Sequence, residues 1–149
     1  MTQHREPDPT LVTGASGYVG GFLIEELLRR GRSVRALARD PSSASQPPEV
    51  DVRGGDAVSG RGLREALEGC RTAYYLIHSM GRGSGPDAEF ARRDREAAVN
   101  FGEAAREAGV ELVVYLGGLG PTGEDASEHL RSRHEVGRAS CRERVCSVV

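Results

Sequence analysis

The segment Leu11-Val12-Thr13-Gly14-Ala15-Ser16-Gly17-Tyr18-Val19-Gly20 constrains the fold more than any other part of the chain. A short apolar run enters it and a strongly patterned helix leaves it. Glycines there let the backbone approach a bound phosphate, while the start of the helix offers free N–H groups and the positive end of its dipole. Strand, glycine turn and helix together are the context in which such a motif points to a dinucleotide. Thr13, Gly14, Ala15, Ser16, Gly17, Tyr18 and Val19 are expected to line the pyrophosphate, and Gly20 to allow close packing of helix on strand. The alternative is a turn whose glycines are purely structural.

The rest of the chain alternates strands and helices. Residues 10–13 read as a first strand. Residues 18–30 read as a helix with Val19, Phe22, Leu23 and Leu27 on one face, stopped by Gly31. Strands are expected at 33–38, 50–53, 72–77 and 110–116, the last two nearly continuous apolar runs that suit a sheet covered on both faces. Residues 41–48 (PSSASQPP) and 81–85 are loops by composition. Ser59 is placed to cap a helix carrying Leu63, Ala66 and Leu67. Pro86 and Asp87 open a long helix with Phe90, Ala97, Ala98, Phe101, Ala105 and Ala108 on its buried stripe, and a further helix begins near 126. This order predicts an α/β fold, a doubly wound parallel Rossmann sheet in three α/β/α layers, ending after about five strands.

Composition narrows the function classes. All 20 basic residues are arginine. Without lysine there is no Walker-type phosphate loop, no Schiff base and no lysine general acid among these residues. A net charge of −2 gives no bulk attraction to nucleic acid or membrane. No apolar run approaches the length of about 20 residues that a membrane span needs. Residues 1–9 are polar and proline-containing, expected to be disordered, and unlike a signal peptide, so a cytoplasmic protein is the expectation. Three scattered cysteines make neither a disulfide framework nor a metal site. Cys70, just before an apolar strand, reads as a small buried residue.

Several residues at strand ends are candidates for ligand contact. An acidic residue after the second strand would hold a ribose 2′-hydroxyl, and an arginine would accommodate a 2′-phosphate. Arg39 comes first there, which favours NADP(H) over NAD(H). Asp40, followed by proline, is equally a turn former. Arg35 is either added positive charge or an exposed strand residue. Asp56 follows the third strand and is placed either to meet adenine or to make a turn. Ile77, His78 and Ser79 end the fourth strand at the crevice, where His78 borders a ligand or serves as a hydrogen-bonded structural group.

With these residues placed, the chain resembles the short-chain dehydrogenase/reductase superfamily. The motifs are VTGASGYVGG, VRALARDPS, ALEGCRTAYYLIHSM and NFGEAAREAGVELVVYLGGLG, followed by HLRSRHEVG. It is similar to the atypical NAD(P)H-binding branch, with NmrA-like proteins and relatives of the NAD(P)-binding accessory subunit of respiratory complex I. The likeness is greatest to bacterial proteins that join this domain to a DUF2867-type region. It covers residues 9–137, and puts Arg39 where NADP-preferring members carry their phosphate-binding arginine. Active members use a tyrosine with a lysine four residues later and a serine or threonine after the fifth strand. Here the resemblance puts His129 at the tyrosine position, Arg133 at the lysine position, and Gly117 and Gly118 at the serine.

Two function classes follow. One is an NADP(H)-dependent oxidoreductase acting on an unknown small-molecule substrate, a carbonyl or quinone-like compound, with His129 as proton donor and Arg133 as its orienter. The other is a non-catalytic dinucleotide-binding module that senses redox state or scaffolds an assembly. Residues 10–137 are read as the NAD(P)-binding domain. Residues 138–149, with clustered arginines and Cys141 and Cys146, read as translated adapter sequence rather than a native tail. On that reading the chain is the N-terminal part of a longer protein, and the fifth strand is left as an unpaired edge.

Overall fold

The computed structural model describes residues 8–77, 87–117, 131, 135, 138 and 146–148. Strands β1 (Thr10–Val12), β2 (Val34–Ala38), β3 (Asp51–Gly54), β4 (Thr72–Tyr75), β5 (Leu112–Tyr115) and β6 (Cys146–Val148) form one sheet in the order β3-β2-β1-β4-β5-β6. Every pairing is parallel. Helices α1 (Tyr18–Arg29), α2 (Leu63–Leu67) and α3 (Asp87–Glu107) cover it. This is the expected Rossmann-like fold. Arg131, Glu135 and Arg138 are helical and exposed, in keeping with the helix expected from 126.

Strand side chains alternate between faces, so β1, β2 and β4 feed two cores. Leu11, Leu37, Ala73, Tyr75, Val113 and Tyr115 pack with Leu63, Leu67 and Phe101 under α2 and α3. Val12, Val34, Ala36 and Leu76 pack with Ile24 and Leu27 under α1. The α3 stripe is buried as its spacing predicts at Ala97, Ala98, Phe101 and Ala105. Phe101 stacks on Tyr75 with ring centroids 4.9 Å apart. A fully buried side chain of that size contributes on the order of 2–3 kcal/mol.

Three local expectations are corrected. On α1 the residues turned to the sheet are Gly20, Ile24 and Leu27. Val19 and Phe22 are outside, and Phe22 meets Tyr18 edge-on. The cause is the seat of Gly20 on the turn before α1, which sets the rotation of the whole helix. Ser59 does not cap α2; the N-cap is Gly62, with φ +73°. The left-handed backbone at Gly60 and Gly62 delays the helix, and the Ser59 hydroxyl goes to Asp56 instead. Finally, β5 is not an edge: Val113, Val114 and Tyr115 pair with Cys146, Ser147 and Val148 of β6.

Candidate dinucleotide site

The strand order reverses between β1 and β4, because the chain runs outward from β1 to β3 and then crosses to β4. In an open α/β sheet a ligand crevice forms at the carboxyl ends of the strands at such a point. The glycine turn is here. Gly14 has φ +64°, and a Cβ on it would lie 2.8 Å from the carbonyl oxygen of Leu76 at the end of β4. Only glycine fits both the backbone angle and the gap. A Cβ on Gly20 would lie 2.2 Å from the carbonyl oxygen of Gly14, so α1 sits on the turn it leaves. The Gly17 N–H donates to Gly14 O at 3.0 Å and closes the turn.

The start of α1 is built to receive an anion. Its N-cap, Gly17, has no side chain to bond the first N–H groups, and its first turn holds no acidic residue. The N–H groups of Tyr18, Val19 and Gly20 precede the first intrahelical bond, which Gly21 makes to Gly17 O. Ser16, Gly17, Tyr18 and Val19 are exposed along the crevice rim. Free donors, a positive dipole end and no Cβ at Gly17 together fit a diphosphate.

The Thr13 side chain also ties the turn to β4. It is fully buried. Its hydroxyl donates to Tyr74 O at 3.2 Å and accepts from the Leu76 N–H at 2.9 Å. The side chain clips β1 to β4 under the turn.

At the ribose end, Arg39 is exposed immediately after β2, and its guanidinium has no side-chain partner among the described residues. Asp40 is engaged. Its Oδ1 accepts from the Ser42 N–H at 3.0 Å and the Ser42 hydroxyl at 2.6 Å, capping the 3-10 turn Pro41–Ser43. Those bonds, the hydroxyl first, hold its carboxyl below the usual carboxylate range. Asp40 is therefore the turn former. Asp56 is engaged too: its carboxylate accepts from the Val58 N–H and the Ser59 hydroxyl, and its N–H donates to Arg61 O. Ile77 is half-buried just beyond β4, and Gly117 half-buried beyond β5. His78, Ser79, Gly118, His129 and Arg133 lie outside the described residues.

Arg35 is neither an exposed strand residue nor a charge for the cofactor. Its side chain is 11% exposed and bonds Asp51 Oδ2 at 2.9 Å. Nη1 donates to the carbonyls of Ala66 and Glu68 at 2.8 Å, tying off the end of α2. It also faces the Sγ of Cys70, a buried thiol that desolvation pushes up.

Sequence reasoning missed two supporting residues. Asn100, on α3 beside Phe101, donates from Nδ2 to Ala57 O at 3.1 Å and Val58 O at 2.7 Å, docking the loop after β3. An amide next to an apolar stripe was the available signal. Gln46 donates from Nε2 to Ala15 O at 3.3 Å. Nothing in its proline- and serine-rich surroundings marks it. Among the described residues no group of histidine, cysteine and carboxylate side chains could hold a metal ion. No helix there is long and apolar enough to cross a membrane.

Residues 14–143 match the model of the NAD(P)H-binding family. A 3-beta-hydroxysteroid dehydrogenase of Mycolicibacterium neoaurum is 35% identical over 112 residues, 70% of this chain and 30% of that protein. A short-chain dehydrogenase/reductase superfamily protein from Agrobacterium tumefaciens, solved with bound NAD, aligns with a TM-score of 0.74 at 20% identity. It covers 94% of this chain and 48% of that one. Triphenylmethane reductase of Citrobacter sp., solved with NADP(H), aligns with a TM-score of 0.73 at 24% identity over 94% of this chain and 48% of its own. The chain thus belongs to the NAD(P)H-binding family, and its fold is that of these solved structures. It spans about a third of the length of the curated relatives it matches.

Proposed function

We propose that this chain forms the cofactor-binding part of an NADP(H)-dependent oxidoreductase. The observation that carries the preference for NADP(H) is the contrast after β2: the Arg39 guanidinium is exposed with no side-chain partner among the described residues, while the Asp40 carboxylate is held in its own turn. A ribose 2′-phosphate meets a cation there, while Oδ1 of Asp40 is already committed to Ser42. The uncapped start of α1 at Gly17, Tyr18 and Val19 supports the placement of the diphosphate between Gly14 and Gly20. The loop from Asp56, docked by Asn100, bounds the adenine side through its shape. Ile77 and His78 border the nicotinamide side.

When bound, the cofactor supplies or accepts hydride. The protein's own part is to hold the proton that accompanies it. In this reading His129 carries that proton, since imidazole titrates near neutral pH, and the Arg133 cation orients it. The substrate is a carbonyl or quinone-like compound.

Titration calorimetry of NADPH and NADH on the chain tests the cofactor reading. NADPH is expected to bind more tightly, and Arg39→Ala to remove about 10- to 100-fold of that affinity, the worth of a hydrogen bond to a charged group. NADH binding should be unchanged by the substitution. Equal affinities for the two cofactors would refute the assignment of Arg39. Binding without NADPH oxidation by the full-length protein, across a carbonyl and quinone panel, would favour a binding module over an enzyme.

A further inference from the structure

The connection from β2 to β3 passes along the crevice before it rejoins the sheet. It leaves β2 at Arg39 and turns over Gly54 of β3, where a Cβ would lie 3.3 Å from Pro41 Cγ. It then returns to the α1 side, where Val50 is buried with Val12, Ala15 and Ile24. Between these two fixed ends its side chains are exposed or half-buried. Among the described residues, the side-chain bonds of Asp40, Ser42 and Ser43 stay within residues 40–43. One side chain of residues 41–48 reaches the glycine turn among the described residues: Gln46, half-buried, whose Nε2 donates to Ala15 O at 3.3 Å. The anchor is firm, because Ala15 itself is packed in the core.

That single amide joins two walls of one crevice. The glycine turn is the floor for a diphosphate, and the β2–β3 connection is the flank beside the adenosine that the diphosphate carries. We propose that Gln46 is a positioning residue for the adenosine half of the cofactor. By holding residues 41–48 on the Ala15 carbonyl it keeps the flank at the spacing from the turn that an adenosine diphosphate needs. This rests on the dinucleotide reading above. A flank that is already in place loses no conformational freedom when the ligand binds, and affinity gains by that amount. The amide also retains Oε1 as an acceptor.

The test uses the whole chain and two variants, Gln46→Met, which keeps the volume without the donor, and Gln46→Ala. Calorimetry gives Kd for NADPH and for 2′,5′-ADP, and thermal unfolding without ligand gives Tm. The loss of one net hydrogen bond's worth of positioning is about fivefold in Kd. Both ligands are expected to weaken by that factor in both variants, with Tm of the Met variant unchanged. Three results would overturn the role of Gln46: an unchanged Kd for NADPH, a loss for NADPH without a loss for 2′,5′-ADP, or a loss matched by a fall in Tm of the Met variant. Wild-type chain that binds neither NADPH nor NADH would refute the dinucleotide reading itself, and the role of Gln46 with it. Wild-type binding with unaltered variants refutes Gln46 alone.

Discussion

Two adjacent glycines on α1 should respond to the same substitution with opposite sign. A Cβ on Gly20 would lie 2.2 Å from the carbonyl oxygen of Gly14 and 3.0 Å from Cα of Ala15. Both are backbone atoms, so no rotamer change relieves the contact. The helix must move away from the turn by nearly an ångström, and the Ile24 and Leu27 packing moves with it. Overpacking of this kind costs about 1–3 kcal/mol. Replacing glycine by alanine inside a helix returns about 1 kcal/mol of propensity, so the net effect of Gly20→Ala is a loss of up to about 2 kcal/mol. A Cβ on Gly21 meets nothing within 4 Å. There only the propensity gain remains, and Gly21→Ala should stabilise by about 0.5–1 kcal/mol. Urea unfolding of the two variants beside wild type measures the difference. Because the displaced helix also carries the N–H groups of Tyr18 and Val19 away from the phosphates, Gly20→Ala should weaken NADPH at least tenfold while Gly21→Ala leaves it unchanged. Equal stabilisation by both substitutions would refute the close seating of α1 on the turn, and with it the geometry assigned to the diphosphate floor.

Other consequences follow from single side chains. Thr13→Val keeps the shape but strands the buried Leu76 N–H, which finds no acceptor on valine; the loss should be about 1–3 kcal/mol in urea unfolding, and Thr13→Ser should recover most of it. Arg35→Leu removes the tie between β2, Asp51 and the carbonyls ending α2, so hydrogen exchange should quicken first in α2 while NADPH affinity stays within twofold; a large affinity loss with α2 unchanged would contradict the clamp. Glu26 lies between Arg29 and Arg30, whose guanidinium bonds, that of Arg29 first, hold its carboxyl at about 2. A depressed carboxylate contributes stability that is present above its ordinary range and lost as pH falls toward 2; the pair is exposed, so the contribution is small and salt-screened. An NMR titration of the Glu26 carboxyl with a midpoint in the ordinary carboxylate range would refute it. Burial pushes the Cys70 thiol up. With Cys141 and Cys146 replaced by serine, native chain should therefore resist iodoacetamide at pH 8 and react when unfolded; equal rates in both states would show the thiol to be accessible.

The sequence alone determined the layered fold and pointed to the glycine turn as the candidate site. Period-two and helical spacing are local properties, so strands β1 to β5, the α3 stripe and the glycine turn were legible without knowing what touches what, whereas β6 was not. Gly14 and Gly20 could be read because a missing side chain at a strand–helix turn has few explanations. What only the tertiary structure decided is how each polar group is spent. Thr13 reads only as a phosphate-turn residue until β4, about sixty residues away, supplies Tyr74 O and the Leu76 N–H. Arg35 reads as a surface charge until the end of α2 arrives over it. Asp40, Asp56, Gln46 and Asn100 are ordinary polar residues in sequence, and their partners are set by where the loops fold back. Even the face of α1 was rotated from the one its apolar spacing offered, because the contact of Gly20 with Gly14 outweighed the exposure of Val19 and Phe22. Hydrophobic periodicity records which side of an element is buried on average. Hydrogen-bond partners are set by strand order and loop path, which bring together residues far apart in the chain.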